Sequence, residues 1–279
     1  MTSIKHWIAE HSNQPNQLDQ AITASDLRFL LSHLLQRDSA WLYTHSDEEL
    51  NGADLKQLSQ WFEQLKQGYP LAYITGKQAF WDLELTVNEH TLIPRPDTEI
   101  LIEVCIELLP QQPRNILDLG TGSGAIALAL AKVFKQAEVI GVDVSKQAIE
   151  TAKLNAKNCA IENVIFKTSD WFSAIKEQTF DLIVSNPPYI AADDEHLVAL
   201  QHEPSTALIA NDAGLADYKA ICAKALSHMN PSGFLVFEHG WQQKQAVSEI
   251  MSQSGLIQIK TVKDLAGHDR ITHGKKSPD

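Results

Sequence analysis

The sequence has few cysteines and no long apolar run, and these absences exclude several classes of protein. Its three cysteines, Cys105, Cys159 and Cys222, form no Cys-x-x-Cys pair. This favours buried thiols over a disulfide framework or a thiolate zinc site. The longest apolar run, Ala125 to Ala131, is far shorter than the roughly 20 residues that cross a bilayer, and the first residues contain no signal-peptide core. We therefore expect a cytoplasmic protein without a membrane partner.

Basic residues are also in short supply. Lys and Arg number 23 against 35 Asp and Glu, which gives a formal net charge of −12. Non-specific binding to nucleic acid depends on Lys and Arg that displace counterions from phosphates. The composition therefore argues against a direct nucleic-acid partner. The 11 histidines are scattered without a metal-ligand spacing, so no metal site is predicted.

Apolar residues recur at helical spacing over the first part of the chain. One stripe contains Leu27, Leu30, Leu31, Leu34 and Leu35, and a second contains Leu55, Leu58, Phe62 and Leu65. We predict a small helical bundle over residues 1–70. A segment of this size beside a catalytic domain typically serves docking, so we expect it to recognise the substrate. Residues 71–93 are predicted to form a connecting hairpin and linker.

Strand and helix patterns alternate from residue 94 onward. This alternation predicts an α/β catalytic domain over residues 94–279, with a Rossmann-like, mostly parallel sheet that binds ligands beyond the carboxyl ends of its strands. The final residues, Gly274 to Asp279, are predicted to be a frayed tail. The elements that open the domain are predicted at Asn115–Leu119 (strand), Ala125–Phe134 (helix), Glu138–Asp143 (strand), Ser145–Asn158 (helix) and Asp181–Ser185 (strand).

A glycine-rich loop joins the first of these strands to its helix. It contains Gly120, Gly122 and Gly124, and Asp143 ends the next strand about 20 residues later. Glycines at such a position allow a tight turn, and the carboxylate meets the hydroxyl groups of a ribose. The order of loop, helix, strand and acid predicts a nucleoside-binding site, although a dinucleotide also fits if Ala125 replaces the last glycine.

Three features favour S-adenosylmethionine over a dinucleotide. Asp118 immediately precedes the loop, where a carboxylate would attract the cationic methionine end and repel a pyrophosphate. The glycines are spaced Gly-x-Gly-x-Gly. Asp170 and Trp171 follow the third strand, where an indole can stack on adenine.

The tetrapeptide Asn186-Pro187-Pro188-Tyr189 follows an apolar strand and indicates the chemistry. The prolines fix the backbone, so the Pro187 carbonyl and the Asn186 side-chain oxygen can accept the two N–H groups of a planar NH₂. Tyr189 can pack on the planar group. Such an arrangement predicts transfer of a methyl group to a pre-aligned amide-type nitrogen without a strong general base.

Taken together, these motifs resemble those of the glutamine methyltransferases of peptide chain release factors. The resemblance covers nearly the whole chain and includes Pro94 to Glu99 and the N-terminal helical region. It implies a class I methyltransferase fold and a role in translation termination. The expected reaction methylates the side-chain amide of the glutamine in the Gly-Gly-Gln motif of class I release factors. S-adenosyl-L-methionine would be the methyl donor and S-adenosyl-L-homocysteine the product.

The resemblance also implies roles for individual residues. Asn186, Pro187 and Tyr189 would be catalytic, and with Pro188 they would bind the glutamine. Asp269-Arg270 is preceded by His268 where related sequences tend to carry Asn, a departure expected to affect only a surface turn. The residues expected to contact the cofactor are Gly120, Thr121, Gly122, Ser123, Gly124, Asp143, Trp171 and Asn186.

Three alternatives remain open at the level of the sequence. The tetrapeptide also suits a methyltransferase acting on the exocyclic amino group of adenine in nucleic acid, although the acidic composition opposes it. A nicotinamide-dependent dehydrogenase fits the loop but gives Asn186 to Tyr189 no task. An inactive binding module would not require the intact Asn186 and Asp143.

Overall fold

The computed structural model describes residues 2–109 and 112–279, and the chain divides into two compact units, Met1–Lys77 and Gln78–Asp279. None of the helices in these described ranges is long and apolar enough to cross a membrane. Within the same ranges, His, Cys, Asp and Glu side chains form no cluster of three or more that could hold a metal ion.

The first unit is a small helical bundle. Its core contains Leu27, Leu30 and Leu31 together with Leu58 and Phe62 of the second predicted stripe, all buried. Side-chain caps fix where the helices begin, because they satisfy backbone N–H groups that lack a partner inside the helix: Thr23, Asp38 and Asn51 cap three of them. The elements are β1 (Thr2–Ser3), α1 (Ile4–His11), α2 (Ala24–Leu35), α3 (Ser39–Thr44), β2 (Glu49–Leu50), α4 (Gly52–Lys66) and α5 (Leu71–Thr75).

The predicted connecting segment, residues 71–93, contains a helical turn as well as a hairpin. Pro70 precedes α5, and Gly76 ends it in the left-handed conformation at φ 69°. The hairpin follows as β3 (Lys77–Phe80) and β4 (Leu83–Thr86). Apolar spacing did not reveal α5 because a helix of five residues is too short to show a period.

A seven-stranded sheet forms the centre of the second unit, in the order β10-β11-β9-β8-β5-β6-β7. Strands β5 to β9 are mutually parallel, and β11 is antiparallel to both of its neighbours. Apolar cores cover both faces, which confirms the predicted doubly wound, mostly parallel sheet. The elements are α6 (Thr98–Leu108), β5 (Asn115–Leu119), α7 (Ala125–Val133), β6 (Glu138–Asp143), α8 (Lys146–Asn158), β7 (Val164–Thr168), β8 (Phe180–Ser185), α9 (Asn211–Gly214), α10 (Ala216–Ala225), β9 (Met229–Glu238), α11 (Lys244–Gln253), β10 (Ile257–Lys263) and β11 (Asp269–Lys275).

The prediction of a frayed tail from Gly274 was wrong for its first two residues. Gly274 and Lys275 belong to β11, which lies between β9 and β10, and Gly274 pairs with Leu235. A Cβ at Gly274 would lie 3.2 Å from side-chain atoms of Leu256 and Met251. The glycine therefore marks a close approach of core side chains to the backbone rather than the end of ordered structure.

The parallel strands end at one edge of the sheet, and the predicted site residues gather there. The glycine loop follows β5, Asp143 is the last residue of β6, and Trp171 follows β7 closely. Asn186 directly follows β8. Ligands of open α/β sheets bind at this edge, so the fold alone places the candidate site there.

Candidate active site

The glycine loop is a tight turn that only glycines fit well. Gly120, Gly122 and Gly124 have φ values of 76°, 54° and 85°, a region that side chains disfavour. A Cβ at Gly124 would lie 3.0 Å from Phe166 and 3.1 Å from Ala152. The backbone N–H groups of Gly120 and Thr121 both donate to the Val142 carbonyl, at 2.9 and 2.8 Å. These bonds fasten the loop to the end of β6.

Asp118 organises this loop from inside the protein. Its Oδ2 accepts hydrogen bonds from Thr121 Oγ1 at 2.5 Å and from the Ala127 backbone N–H at 3.2 Å. Burial raises the pKa of this carboxyl to about 7, against the lowering effect of those two bonds. The carboxylate is fully buried, so the expectation that it meets the methionine end of a cofactor is not supported.

Asp143 connects the loop to the next helix. Its Oδ2 accepts from the Gly122 N–H and its Oδ1 from the Ser145 N–H, both at 2.9 Å. Burial raises the pKa of Asp143, and the hydrogen bonds from Ser145 and Gly122 oppose that rise. Each oxygen retains further acceptor capacity, so the group can still receive hydroxyl donors from a ligand.

A cavity of about 450 Å³ opens at the carboxyl ends of the strands, within the range of small-molecule sites. Trp171 lies on its wall with its ring against the loop, since a Cβ at Gly120 would be 3.5 Å from the indole Cζ3. The Ser169 hydroxyl donates to the Trp171 carbonyl at 2.7 Å and fixes the turn that presents the indole. Six of the predicted site residues line this cavity: Gly120, Gly122, Asp143, Trp171, Asn186 and Pro188.

The other predicted site residues lie off the cavity wall. Thr121 is buried with its hydroxyl on Asp118, and Ser123 is buried with its carbonyl accepting from Asn155 Nδ2 at 2.9 Å. Contacts from this part of the loop, including Gly124, would therefore use the backbone. Pro187 is also buried.

Tyr189 is anchored beside the cavity rather than in its lining. Its backbone carbonyl accepts from Gln243 Nε2 at 3.0 Å, and its ring lies beside Gly240. Burial, with the charge of Glu238, raises the pKa of the phenol to about 12. The phenol is therefore neutral at physiological pH, and it can pack against an uncharged planar group.

Two cavity walls were missed by sequence reasoning. His90, Thr91 and Leu92 form one, and part of the segment from Thr206 to Asp217 forms the other. Buried Glu203 ties them together, because its carboxylate accepts from the Ile93 N–H at 3.2 Å and pairs with Arg95. The sequence gives no local sign of this link, since the partners lie in irregular segments far apart along the chain.

The side chain of Asn186 is directed at both the protein and the cavity. Its Nδ2 donates to Thr98 Oγ1 at 3.5 Å, and the residue also lines the cavity. Because the nitrogen is turned toward Thr98, the Oδ1 on the other branch of the amide is left to accept from a ligand.

The family of this chain follows from its similarity to proteins of known name. The chain is 42% identical over 276 residues to the release factor glutamine methyltransferase of Salmonella typhimurium, covering 98% of this chain and 99% of that relative. This chain belongs to the release factor glutamine methyltransferase family. The release factor glutamine methyltransferase of Escherichia coli is 40% identical over 273 residues, covering 97% of this chain and 98% of that relative. The resemblance seen in the sequence motifs is thereby confirmed.

Domain families and a solved structure agree with this membership. Residues 12–76 match the PrmC N-terminal domain, and residues 96–207 match the methyltransferase small domain. A crystal structure of a methyltransferase from Pyrococcus furiosus aligns with a TM-score of 0.55 at 20% identity, covering 71% of this chain and 91% of that one. At this identity, the match supports the methyltransferase fold alone.

The charges of the cavity distinguish the two cofactor classes that the glycine loop left open. Asp143, Asp170 and Asp217 line it, and among the described lining residues there is no Lys or Arg. Burial and the charge of Asp170 raise the pKa of Asp217, as expected for carboxyls crowded together. Such walls attract the sulfonium and ammonium groups of S-adenosylmethionine and repel a pyrophosphate. The cavity therefore fits the cofactor of this family rather than a dinucleotide.

Proposed function

We infer that the protein methylates the side-chain amide nitrogen of the glutamine in the Gly-Gly-Gln motif of class I peptide chain release factors. The donor is S-adenosyl-L-methionine, and the reaction serves translation termination. The observation that carries this conclusion is that Asn186 and Pro188, at the end of β8, line the acidic cavity. A planar nitrogen held there is next to the cofactor cavity.

Three groups are proposed to hold the cofactor. Asp143 would accept hydrogen bonds from the ribose hydroxyls, and the Trp171 indole would stack on the adenine. Gly120 and Gly122 leave space for the ligand to approach the loop backbone. Thr121, Ser123 and Gly124 would contact it through their backbone groups. When bound, the cofactor supplies an electrophilic methyl group at a positively charged sulfur.

Orientation of the amide is the main catalytic task that we assign to the chain. Asn186 Oδ1 and the Pro187 carbonyl would accept the two N–H groups of the glutamine, and Pro188 and Tyr189 would hold its planar carboxamide. Fixing the nitrogen in this way converts a bimolecular displacement into a pre-aligned one. A strong base is unnecessary, because bond formation acidifies the nitrogen and one proton then leaves to water.

We propose that residues 1–70 recognise the protein substrate and that residues 94–279 carry out catalysis. Residues 71–93 would be the linker that joins these two domains. Phe29 and Tyr43, which are 46% and 63% exposed, offer apolar surface on the first unit. Changing both to Ser should raise KM for an intact release factor and leave KM for a short Gly-Gly-Gln peptide unchanged. Equal effects on both substrates would contradict a recognition role.

We further propose that the protein acts in the cytoplasm, and that neither nucleic acid nor a membrane is a direct partner. The net charge of −12 supports the absence of a nucleic-acid partner, since a polyanion would be repelled. It also disfavours methylation of adenine in nucleic acid.

The decisive experiment offers labelled S-adenosylmethionine to a purified release factor, to the same factor with its motif glutamine changed to Ala, and to plasmid DNA. Label on the unmodified factor alone is the expected result. Label on the Ala variant would place the methyl group elsewhere on the factor. Label on DNA alone would replace this function by adenine methylation.

A further inference from the structure

Glu238 is a buried carboxylate that the reaction outlined above does not use. It ends β9, its side chain is buried, and its Oε2 has no hydrogen-bond partner among the described residues. Its backbone carbonyl is occupied separately, by the Tyr218 hydroxyl at 3.0 Å. A buried carboxylate costs free energy unless neighbouring groups compensate it, so its position calls for a specific reason.

The sheet register places Glu238 beside Asn186. Ser185 of β8 pairs with Phe237 of β9 in parallel. The residues that follow them, Asn186 and Glu238, therefore lie side by side at the ends of the two strands. Thr98, in the first turn of α6, approaches both. It accepts from Asn186 Nδ2 at 3.5 Å, and both its hydroxyl and the Asn186 side chain hydrogen-bond toward the Glu238 carboxylate.

The directions of these hydrogen bonds follow from the charge of the carboxylate. An ionised Glu238 can only accept, so the Thr98 hydroxyl has to donate to it. The Thr98 Oγ1 then remains as an acceptor, so it favours a contact with the Nδ2 of Asn186 over a contact with the Oδ1 of Asn186. A flipped Asn186 amide would turn its NH₂ toward the NH₂ of the substrate, where two donors face each other.

We propose that Glu238, through Thr98 and through its own contact with the Asn186 nitrogen, is a positioning residue that holds the Asn186 carboxamide with its Oδ1 toward the cavity. The proposal rests on the proposed function, because it assumes that Asn186 accepts from the substrate nitrogen. It assigns to Glu238 no contact with the substrate.

The surroundings of Glu238 determine when it is ionised. Burial raises the pKa of Glu238 to about 7, Thr98, Arg270 and Asn186 lower it, and Asp97 raises it. Tyr189 and Tyr218 face it as neutral phenols, since burial raises the pKa of both. Below a pH of about 7, Glu238 is protonated and can donate to Thr98, so the constraint on the Asn186 amide is lost.

The test is a double-mutant cycle on the full-length protein. Glu238→Gln keeps the size of the side chain but can donate as well as accept, and Thr98→Val removes the hydroxyl. Each should lower kcat roughly 10-fold, the value of one hydrogen bond, and leave S-adenosylmethionine affinity unchanged. In an Asn186→Ala background, neither should lower kcat further. Equal losses in both backgrounds would overturn the proposal.

Matched variants distinguish positioning from folding. Thr98→Ser retains the hydroxyl and should restore most of the loss seen with Thr98→Val. Glu138→Gln is a control, because Glu138 is exposed at the first position of β6, at the opposite end of that strand from Asp143. This change should leave kcat unchanged. The wild-type kcat should rise with pH through about 7, and this dependence should be absent from Glu238→Gln. A dependence that persists in Glu238→Gln would contradict the assignment.

A measurement without turnover separates this proposal from the proposed function. In ¹⁵N–¹H spectra, the Asn186 side-chain NH₂ signals, identified by their loss in Asn186→Ala, should shift with pH near 7 in the wild type and stay constant in Glu238→Gln. Constant signals in both proteins would overturn the positioning role. If these signals shift but no release factor is methylated, the proposed function fails and the link between Glu238 and Asn186 stands.

Discussion

Glu203 and Arg95 lie 108 positions apart in the sequence, yet their side chains form an ion pair beside the cavity. The Glu203 side chain is only 3% exposed, whereas that of Arg95 is 38% exposed. The same carboxylate also accepts from the Ile93 backbone. This pair links the segment that supplies Leu92 to the segment that supplies Thr206, so it holds two walls of the cavity together.

Glu203→Gln should loosen these walls and weaken S-adenosylmethionine binding. The loss of a charged hydrogen bond predicts a roughly 10-fold higher Kd by calorimetry. The apparent Tm should also fall, because the neutral Gln side chain loses the charged hydrogen bonds that Glu203 makes to Arg95 and to the Ile93 backbone. Glu195→Gln is a control on an exposed part of the same segment. An unchanged Kd would show that the pair does not shape the cavity.

Asn186→Ala should slow methyl transfer without unfolding the protein. The lost acceptor acts on the reacting nitrogen, so kcat is expected to fall roughly 100-fold, as for removal of one pre-organised hydrogen-bonding group in an active site. Single-turnover transfer of labelled methyl to a release factor measures this step. Wild-type turnover in the variant would remove Asn186 from the mechanism.

Asp143→Ala should affect cofactor binding more than the saturated rate. Its proposed contacts to the ribose are equal in the ground state and the transition state, so their loss raises Kd and leaves kcat largely intact. Charged hydrogen bonds of this kind predict a roughly 10- to 100-fold rise in Kd. Calorimetry and saturation kinetics on the same preparation compare the two effects. A fall in kcat with unchanged Kd would reject the ribose assignment.

Stability should fall as pH rises, because buried carboxyls become charged. The pKa of Asp118 is raised from 3.8 to about 7, so the folded state binds more protons than the unfolded state between these values. The stabilisation is complete below the unfolded pKa and is lost as pH rises through about 7. Asp118→Asn should reduce this loss by up to about 4 kcal/mol, at 1.36 kcal/mol for each pKa unit. Urea unfolding at pH 5 and pH 8 spans about two of these pKa units, so it should show a difference of about 3 kcal/mol; an identical pH dependence in the variant would contradict it.

Local patterns were sufficient where one segment contains the whole signal. The strands Asn115–Leu119 and Glu138–Asp143 have the predicted bounds, and the predicted helix at Ser145 begins one residue later because Ser145 is its cap. Gly120 and Asp143 could be placed near one ligand because loop and acid end neighbouring parallel strands. These relations depend on spacing along the chain.

Relations between distant segments could not be predicted in this way. Asp118 was expected to face the cofactor, but packing on both faces of the sheet buries it, and its Oδ2 accepts hydrogen bonds from Thr121 and Ala127. Gly274 was expected to lie in a tail, but pairing with Leu235 places it in the sheet. Both outcomes depend on how other elements of the sheet pack around these residues.

The motifs of the chain were enough to indicate its family by resemblance. Its doubly wound sheet and the residues at the carboxyl ends of the strands could be predicted because hydrophobic periodicity and turn chemistry are local properties of the chain. The folded arrangement was needed to show which side chains line the cavity, that Glu203 joins its walls, and that Glu238 lies beside Asn186. Those facts depend on strand register and on loop packing between residues far apart in sequence, and no single segment encodes either.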